Sequence, residues 1–300
     1  MVLHIPANIP YLQWSISYTM ILIADSGSTK CDWAHLSNDG TVKKFQSAGL
    51  NPQVQSEDFI RSILADIHEF EGLSDQVKHL YVYASGCSTP MHKHLLKGLL
   101  ELHFPDAQME IENDLFGAAR AALGEEEGLI GIIGTGSNLA WFNGDRLDFK
   151  TPALGYVMGD EGAGSNIGKK LISRYFYGQM PDELVEAFKL TLPYSKDEVL
   201  ERVYSHDRPN AFLASVVPFV VEHKAHPFIA KLIKGSFREY VENHIKAYDN
   251  PDKVHFVGSV AVHLKEYLRE ILNEYGIELG QTLSQPIEQL IEYHKSKING

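Results

Sequence analysis

Two short stretches of the chain carry residue types that can hold phosphate. Residues 25–29 read Asp-Ser-Gly-Ser-Thr and residues 134–137 read Gly-Thr-Gly-Ser, each after an apolar run, ILIA at 21–24 and LIGII at 129–133. Glycine lets the backbone approach a ligand closely, serine and threonine add hydroxyl donors, and a tight turn points successive N–H groups outward as an anion-binding nest. Either turn alone reads equally well as an ordinary hairpin, because Gly, Ser and Asn are what such turns contain. Two of them facing each other would grip a polyphosphate from both sides. Asp25 ends the first apolar run, where a carboxylate suits Mg²⁺, bound directly or through water, or a turn cap. Asp114 opens an Ala-rich helical stretch just after a strand-like segment. It reads either as an N-cap, worth about 1 kcal/mol, or as an acid facing a cleft from the C-terminal end of a strand.

The elements that would position these residues alternate between strands and helices. Short β-like runs at 21–25, 30–36 and 41–47 form a three-stranded meander, its second turn marked by Asn38-Asp39-Gly40. An amphipathic stretch at 56–70, strand LYVYA at 80–84, a helix at 91–103, strand QMEIE at 108–112 and a helix at 114–124 follow. The order is β-β-β-α-β-α-β-α. The same order restarts with the strand at 129–133, LAWF at 139–142 and a turn at Asn143-Gly144-Asp145. With Ser26-Gly27-Ser28 set against Thr135-Gly136-Ser137, both copies show an apolar strand, a hydroxyl-Gly-Ser turn, a Trp-containing strand and a hairpin turn, which predicts an internal duplication. Helices are predicted at 163–177, 182–190, 196–204 and 226–248, then strand VHFVG at 254–258, and a helix from Ser259-Val260 to 274. A last helix at 284–297 begins Ser-Gln-Pro-Ile-Glu, with Pro in its first turn.

With 300 residues, 44% of them hydrophobic, and a net charge of −12, the chain has the makeup of a globular protein of about two domains. The acidic balance gives no support to a nucleic-acid or anionic-membrane surface, which needs clustered Lys and Arg, so phosphate must be held locally. No run is long enough to span a membrane. Cys31 and Cys87 make no disulfide framework and lie in no metal-binding spacing, which fits a reducing cytoplasm. Residues 1–19 hold no Lys or Arg, two prolines and no continuous apolar stretch, and the regular pattern begins at Met20. They read as an extension and not as a signal peptide.

From about 21 to 298 the chain resembles the acetate and sugar kinase, Hsp70 and actin superfamily, in the branch of the N-acetylglucosamine kinases and BadF/BadG-type ATPases. The motifs that carry the resemblance run in order: Asp25-Ser26-Gly27-Ser28-Thr29, Gly49-Leu50-Asn51-Pro52, Glu112-Asn113-Asp114, Gly134-Thr135-Gly136-Ser137, Gly155 to Gly162 (GYVMGDEG), and Phe256-Val257-Gly258-Ser259-Val260. The resemblance implies an α/β protein with two ribonuclease-H-like, actin-like ATPase domains of duplicated topology around a nucleotide cleft. Their expected extents are 20–117, completed by the C-terminal helix at 284–298, and 118–283. It further implies ATP-dependent phosphoryl transfer to an amino sugar, with N-acetylglucosamine and its 6-hydroxyl foremost, and ATP with Mg²⁺ as cofactors. Carried over residue by residue, Asp25 is the metal residue and Ser26, Gly27, Ser28 and Thr29 form phosphate loop one. Gly134, Thr135, Gly136 and Ser137 form phosphate loop two, and Gly258 and Ser259 meet the adenosine. Asp114 is the catalytic aspartate that hydrogen-bonds the acceptor hydroxyl and takes its proton. Asn51, Asp114, Asp160 and the backbone around Ala153, Leu154 and Gly155 contact the sugar.

The family commonly has Gly-Trp-Gly where this chain has Ala153-Leu154-Gly155, so the ring-facing surface differs. Glucosamine, N-acetylmannosamine and N-acetylmuramic acid therefore stay open beside N-acetylglucosamine. Without the resemblance, Asp160 also reads as a helix cap and Asn51 as a turn residue; Lys30 could reach phosphate or point into solvent, and Glu161 could hold a helix start or reach the sugar or metal. Kinases of this type are often homodimers. The same branch offers a second reading, an ATPase that activates a radical dehydratase through an iron–sulfur cluster bridged between two subunits. That needs interfacial cysteines, and only Cys87 in Ser85-Gly86-Cys87-Ser88 reads as exposed. A third reading is a non-catalytic sugar or nucleotide sensor, against which Asp25, Asp114 and both loops count.

Overall fold

A computed structural model describes residues 20–37, 39–205 and 208–299. The expected extension at 1–19 and Asn38 of the first hairpin cue lie outside the described residues. The first sheet is built from β1 (Ile21–Ser26), β2 (Lys30–Leu36), β3 (Val42–Ala48), β4 (His79–Ala84) and β5 (Gln108–Asn113) in the order β3-β2-β1-β4-β5. The second is built from β6 (Gly128–Ile133), β7 (Ser137–Phe142), β8 (Leu147–Asp148), β9 (Lys253–Val257) and β10 (Glu278–Leu283) in the order β10-β9-β6-β7-β8. Traced from the meander edge, both sheets run third, second, first, fourth, fifth. In each the three meander strands pair antiparallel and the last two join in parallel. The duplication expected from the sequence is present in the topology.

The apolar run of β1 is explained by its two covered faces, since a strand between helices on both sides has no side for polar residues. Leu22 and Ala24 join a core with Trp33, Leu64, Leu96 and Leu100. Ile21 and Ile23 point the other way, onto Leu290 and Ile291 of the C-terminal helix Ile287–Asn299. Helix Asp114–Leu123 lies between the two sheets. Its Leu115, Ala118, Ala119 and Leu123 pack on Ile130, Ala140, Phe142 and Val257, while Ala121 and Phe116 reach toward Tyr83 and the C-terminal helix. Small side chains allow this approach. A Cβ at Gly117 would stand 2.7 Å from Cβ of Tyr83.

Tyr83 is in turn fixed by its hydroxyl, which meets Nε2 of His294 at 2.8 Å and accepts from Arg120 at 2.6 Å. Arg120 also pairs with Glu110 and lies over the ring of Phe116. Burial, with Arg120 beside it, lowers His294 to about 3, so the imidazole is neutral in this packing.

Several elements depart from the sequence reading. The stretch at 56–70 divides into helix Glu57–Ala65 and a 3₁₀ turn at His68–Gly72. The helix expected at 226–248 is Pro227–Asn243 followed by a 3₁₀ turn at Ile245–Ala247. Helices Pro209–Ala214 and Val217–Glu222, and strand β10, are additions. No described helix is long and apolar enough to cross a membrane.

Because the Cβ of Tyr83 is fixed to its own strand, Gly117→Ala must push the central helix off the first sheet. Its better helix propensity is outweighed by overpacking, and a net loss of about 1–3 kcal/mol is expected. Urea unfolding of the variant beside the parent chain checks this.

Candidate active site

The β1–β2 and β6–β7 turns face one another across a cleft of about 440 Å³. The hydroxyls of Thr29 and Thr135, one from each turn, are 3.2 Å apart. The strand registers correct the sequence alignment of the two turns. Ser26 is the last residue of β1, paired with Cys31, and Ile133 is the last of β6, paired with Ser137. The equivalent turn residues are therefore Gly27 to Lys30 and Gly134 to Gly136, with Gly27 matching Gly134. The first turn is one residue longer.

This register explains the placement of Ser26. It is fully buried and absent from the cleft lining, and its hydroxyl is occupied with the backbone of Leu50, accepting from N–H at 2.7 Å and donating to the carbonyl at 3.2 Å. Ser26 thus ties phosphate loop one to the Gly49-Leu50-Asn51 segment and offers no hydroxyl to a ligand. Gly27, Ser28, Thr29, Gly134, Thr135, Gly136 and Ser137 all line the cleft.

Asp114 also lines it, at the start of the central helix. The N-cap role falls to the preceding residue: Oδ1 of Asn113 accepts from N–H of Leu115 at 2.8 Å, and its amide donates to Ser88 at 2.9 Å. Asp114 is left as a first-turn carboxylate, with Oδ1 accepting from Leu115 N–H at 2.9 Å and Oδ2 from the hydroxyl of Ser85 at 2.5 Å. Burial raises its pKa, against the lowering effect of those hydrogen bonds. Asp25 faces the same space. Burial first, then the neighbouring carboxylates of Asp114 and Asp32, push Asp25 up to about 8, with Lys30 opposing. Lys30 lines the cleft but is held by Asp32 at 2.8 Å.

Asn51, Ala153, Gly155 and Asp160 also line the cleft. Asn51 is buried, and its amide donates to Oγ of Ser28 at 3.2 Å while its Oδ1 accepts from N–H of Gln53 at 3.1 Å. Asp160 adopts a left-handed backbone, φ 55°, and its carboxylate accepts from N–H of Ser137 at 3.2 Å. Burial raises its pKa, opposed by that N–H. So Asp160 sits against phosphate loop two and does not cap the following helix Gly164–Phe176, whose N-cap position is Ala163. Leu154, expected to contribute through its backbone, is not part of the lining, and its side chain is exposed. Glu161 turns into the second half, where Asn243 and His244 donate to it at 2.9 and 3.0 Å.

Gly258 and Ser259 line the cleft as well. Gly258 has φ 127°, and a Cβ there would stand 2.3 Å from the carbonyl of Ile133, so the β9 turn can lie against the end of β6 only with glycine.

No protein-family model and no curated protein matches this chain. Solved structures do. A candidate N-acetylglucosamine kinase from Porphyromonas gingivalis is 36% identical over 92% of this chain and 99% of its own, with a TM-score of 0.86. The chain belongs to the N-acetylglucosamine kinase and BadF/BadG-type ATPase family. A second candidate N-acetylglucosamine kinase, from Chromobacterium violaceum, shares the fold at 16% identity and a TM-score of 0.69, covering 92% of this chain and 99% of that one. A ROK family glucokinase from Streptomyces griseus, in complex with glucose and AMPPNP, shares it at 14% identity and 0.54, covering 94% and 100%. The fold is that of the two-domain actin-like ATPases.

Within this family member, several cleft residues escaped the sequence reading. Ser85 follows β4, at the same sheet edge as Asp25 and Asp114, and Asp32 lies directly across from Asp25 on β2. The parallel order β1-β4-β5 is the signal that would have found Ser85, because it aligns the C-terminal ends of those three strands. Cys87, expected to be exposed, is fully buried, and burial with the nearby Asp114 pushes its thiol up to about 12. Cys31 is buried as expected. Neither thiol is available to bridge a cluster between subunits.

Asp25 gives a pH signature. A carboxyl raised in the folded state contributes stability that is complete below the unfolded pKa of 3.8 and is lost as pH rises toward about 8. Melting temperatures of Asp25→Asn and the parent chain, compared without nucleotide from pH 5 to 9, should shift progressively in the variant's favour and level off above about 8. A difference that does not vary with pH would refute the assignment.

Proposed function

We propose that this chain transfers the γ-phosphoryl group of ATP to a hydroxyl of an amino sugar, N-acetylglucosamine at its 6-hydroxyl foremost. The observation that carries this reading is the meeting of two opposed phosphate turns and the Ser85-bonded carboxylate of Asp114 in one cleft. Residues 20–117 with 284–298 act as one body and 118–283 as the other. The N–H groups and hydroxyls of the two turns hold the phosphates, and Gly258 and Ser259 leave backbone room for the adenosine. The Streptomyces griseus glucokinase, solved with glucose and AMPPNP, supports such a use of the fold.

At the sugar end, Asn51 and Asp160 supply fixed polar groups to hydroxyls, and Ala153 and Gly155 leave the ring face open. The acceptor hydroxyl donates to Asp114 and passes its proton there as the new P–O bond forms and the bond to the ADP oxygen breaks. Phosphoryl transfer of this kind rests on positioning and charge stabilisation. Ser85 holds the carboxylate in one orientation, and its raised pKa makes it a better proton acceptor than a solvated aspartate.

The residues fit Mg²⁺. Asp25, Asp114 and Asp32 bring carboxyl groups together in partly desolvated surroundings, and the ammonium of Lys30 beside them is engaged by Asp32. Among the described residues no three metal-ligating side chains are grouped to form a cage. Mg²⁺ does not require one, since it is commonly held by one or two carboxylates together with water and substrate phosphates. Asp25 would hold it, and the ion would offset charge on the phosphate oxygens. Both thiols are buried and unpaired, which accords with a cytoplasmic setting.

Asp114→Asn should lower turnover by about 10²–10⁴, the usual contribution of a positioned base, with AMP-PNP binding retained. A coupled ADP-release assay over a panel of amino sugars, with the phosphorylated position assigned by NMR, tests activity and substrate together. Near-normal turnover of the variant would remove Asp114 from the reaction.

A further inference from the structure

Arg208 stands between helices Lys196–Tyr204 and Pro209–Ala214, on the second sheet's side of the molecule. Its Nη2 crosses to the first side and donates to the carbonyls of Ser28 and Thr29, each at 2.7 Å. Among the described residues, the side-chain hydrogen bonds that span the cleft mouth are these two and the Thr29–Thr135 pair. The placement is informative, because a turn that aims its N–H groups at an anion turns carbonyls away from it. Arg208 takes those carbonyls and does not line the cleft, so it holds phosphate loop one from behind.

Its own anchorage leads to phosphate loop two. Helix Pro209–Ala214 packs closely on helix Gly164–Phe176, where a Cβ at Gly168 would stand 1.9 Å from the carbonyl of Leu213. The N–H groups of Gly164 and Ser165, at the start of that second helix, donate to the carbonyls of Gly134 and Thr135 at 2.8 and 3.0 Å. Arg208 is thus mounted on the same body as loop two and bonded to loop one. Ser28 carries a further load, since its hydroxyl accepts from the amide of Asn51.

We propose that Arg208 is a closure latch, a positioning residue that sets the spacing of the two phosphate loops and thereby makes nucleotide affinity depend on the two halves being shut. Both bonds come from the one Nη2 amino group, whose two hydrogens are fixed in the guanidinium plane, whereas a lysine ammonium is a freely rotating point charge on a shorter-reaching stem. A nucleotide phosphate held by both loops stabilises the shut arrangement, and the latch adds to it without touching the ligand.

The test uses the full chain with spin labels at Lys97→Cys and Lys189→Cys, two exposed sites on opposite sides of the cleft, the native thiols being buried. Without nucleotide, Arg208→Met should give a longer and broader inter-label distance than the Arg208 chain. Its AMP-PNP affinity by calorimetry and its KM for ATP should both worsen about tenfold, equivalent to about 1.4 kcal/mol, with the melting temperature of the nucleotide-free protein unchanged. Arg208→Lys should recover only part of the affinity. Unchanged distance and affinity in Arg208→Met would overturn the latch, as would an affinity loss that simply follows a lower melting temperature. The inference rests on reading the cleft as a nucleotide site. If the parent chain phosphorylates no amino sugar, the acceptor assignment falls while the inter-label distance still decides about Arg208.

Discussion

The contact on which the rest of the structure depends is the wedging of helix Asp114–Leu123 between the two sheets. The helix presents Ala118 and Ala119 to the second sheet and Gly117 to the first, so both sheets reach it at close range. Its N-terminus opens at the C-terminal ends of β4 and β5, and that alone brings Asp114 to the cleft. A bulkier helix would separate the sheets, and the two phosphate turns would no longer stand 3.2 Å apart at their threonines. Packing several residues away from the chemistry therefore sets the dimensions of the site.

The cleft's electrostatics follow from the same convergence. Strands β1, β2 and the start of the central helix each contribute an aspartate, and Lys30 is the cation among them. Burial first, and then the neighbouring carboxylates of Asp114 and Asp32, make Asp25 hard to ionise there. Such a cleft is poorly suited to a bare polyanion. On the function proposed above, it suits phosphate when a cation accompanies the ligand and backbone N–H groups do the holding.

Much of this was legible in the sequence. The apolar runs, the Gly-Ser turns and the repeated strand order were sufficient for two duplicated sheets, because period-2 burial and turn chemistry are local properties. The less local features were not readable. The two-residue β8 and the half-exposed β10, Glu-Leu-Gly-Gln-Thr-Leu, carry no alternation and are held by their neighbours in the sheet. Ser26 looked like a ligand donor from its type, yet pairing with Cys31 makes it a buried strand residue. Cys87 looked exposed from its polar neighbours, but the fold turns it inward. Arg208 has no motif around it, and its significance depends wholly on where a distant turn arrives.

The unequal lengths of the two turns have one more implication. A duplicated clamp with perfect internal symmetry would accept a triphosphate in either sense, since each jaw would be the image of the other. Here the longer jaw follows Asp25, whereas the strand position matching Asp25 in the second sheet is Ile132. One jaw is acidic and the other apolar at the same station. The pseudo-twofold is broken at the place where a head-to-tail ligand must be told apart from its reverse, so the divergence of the two copies gives the cleft a direction.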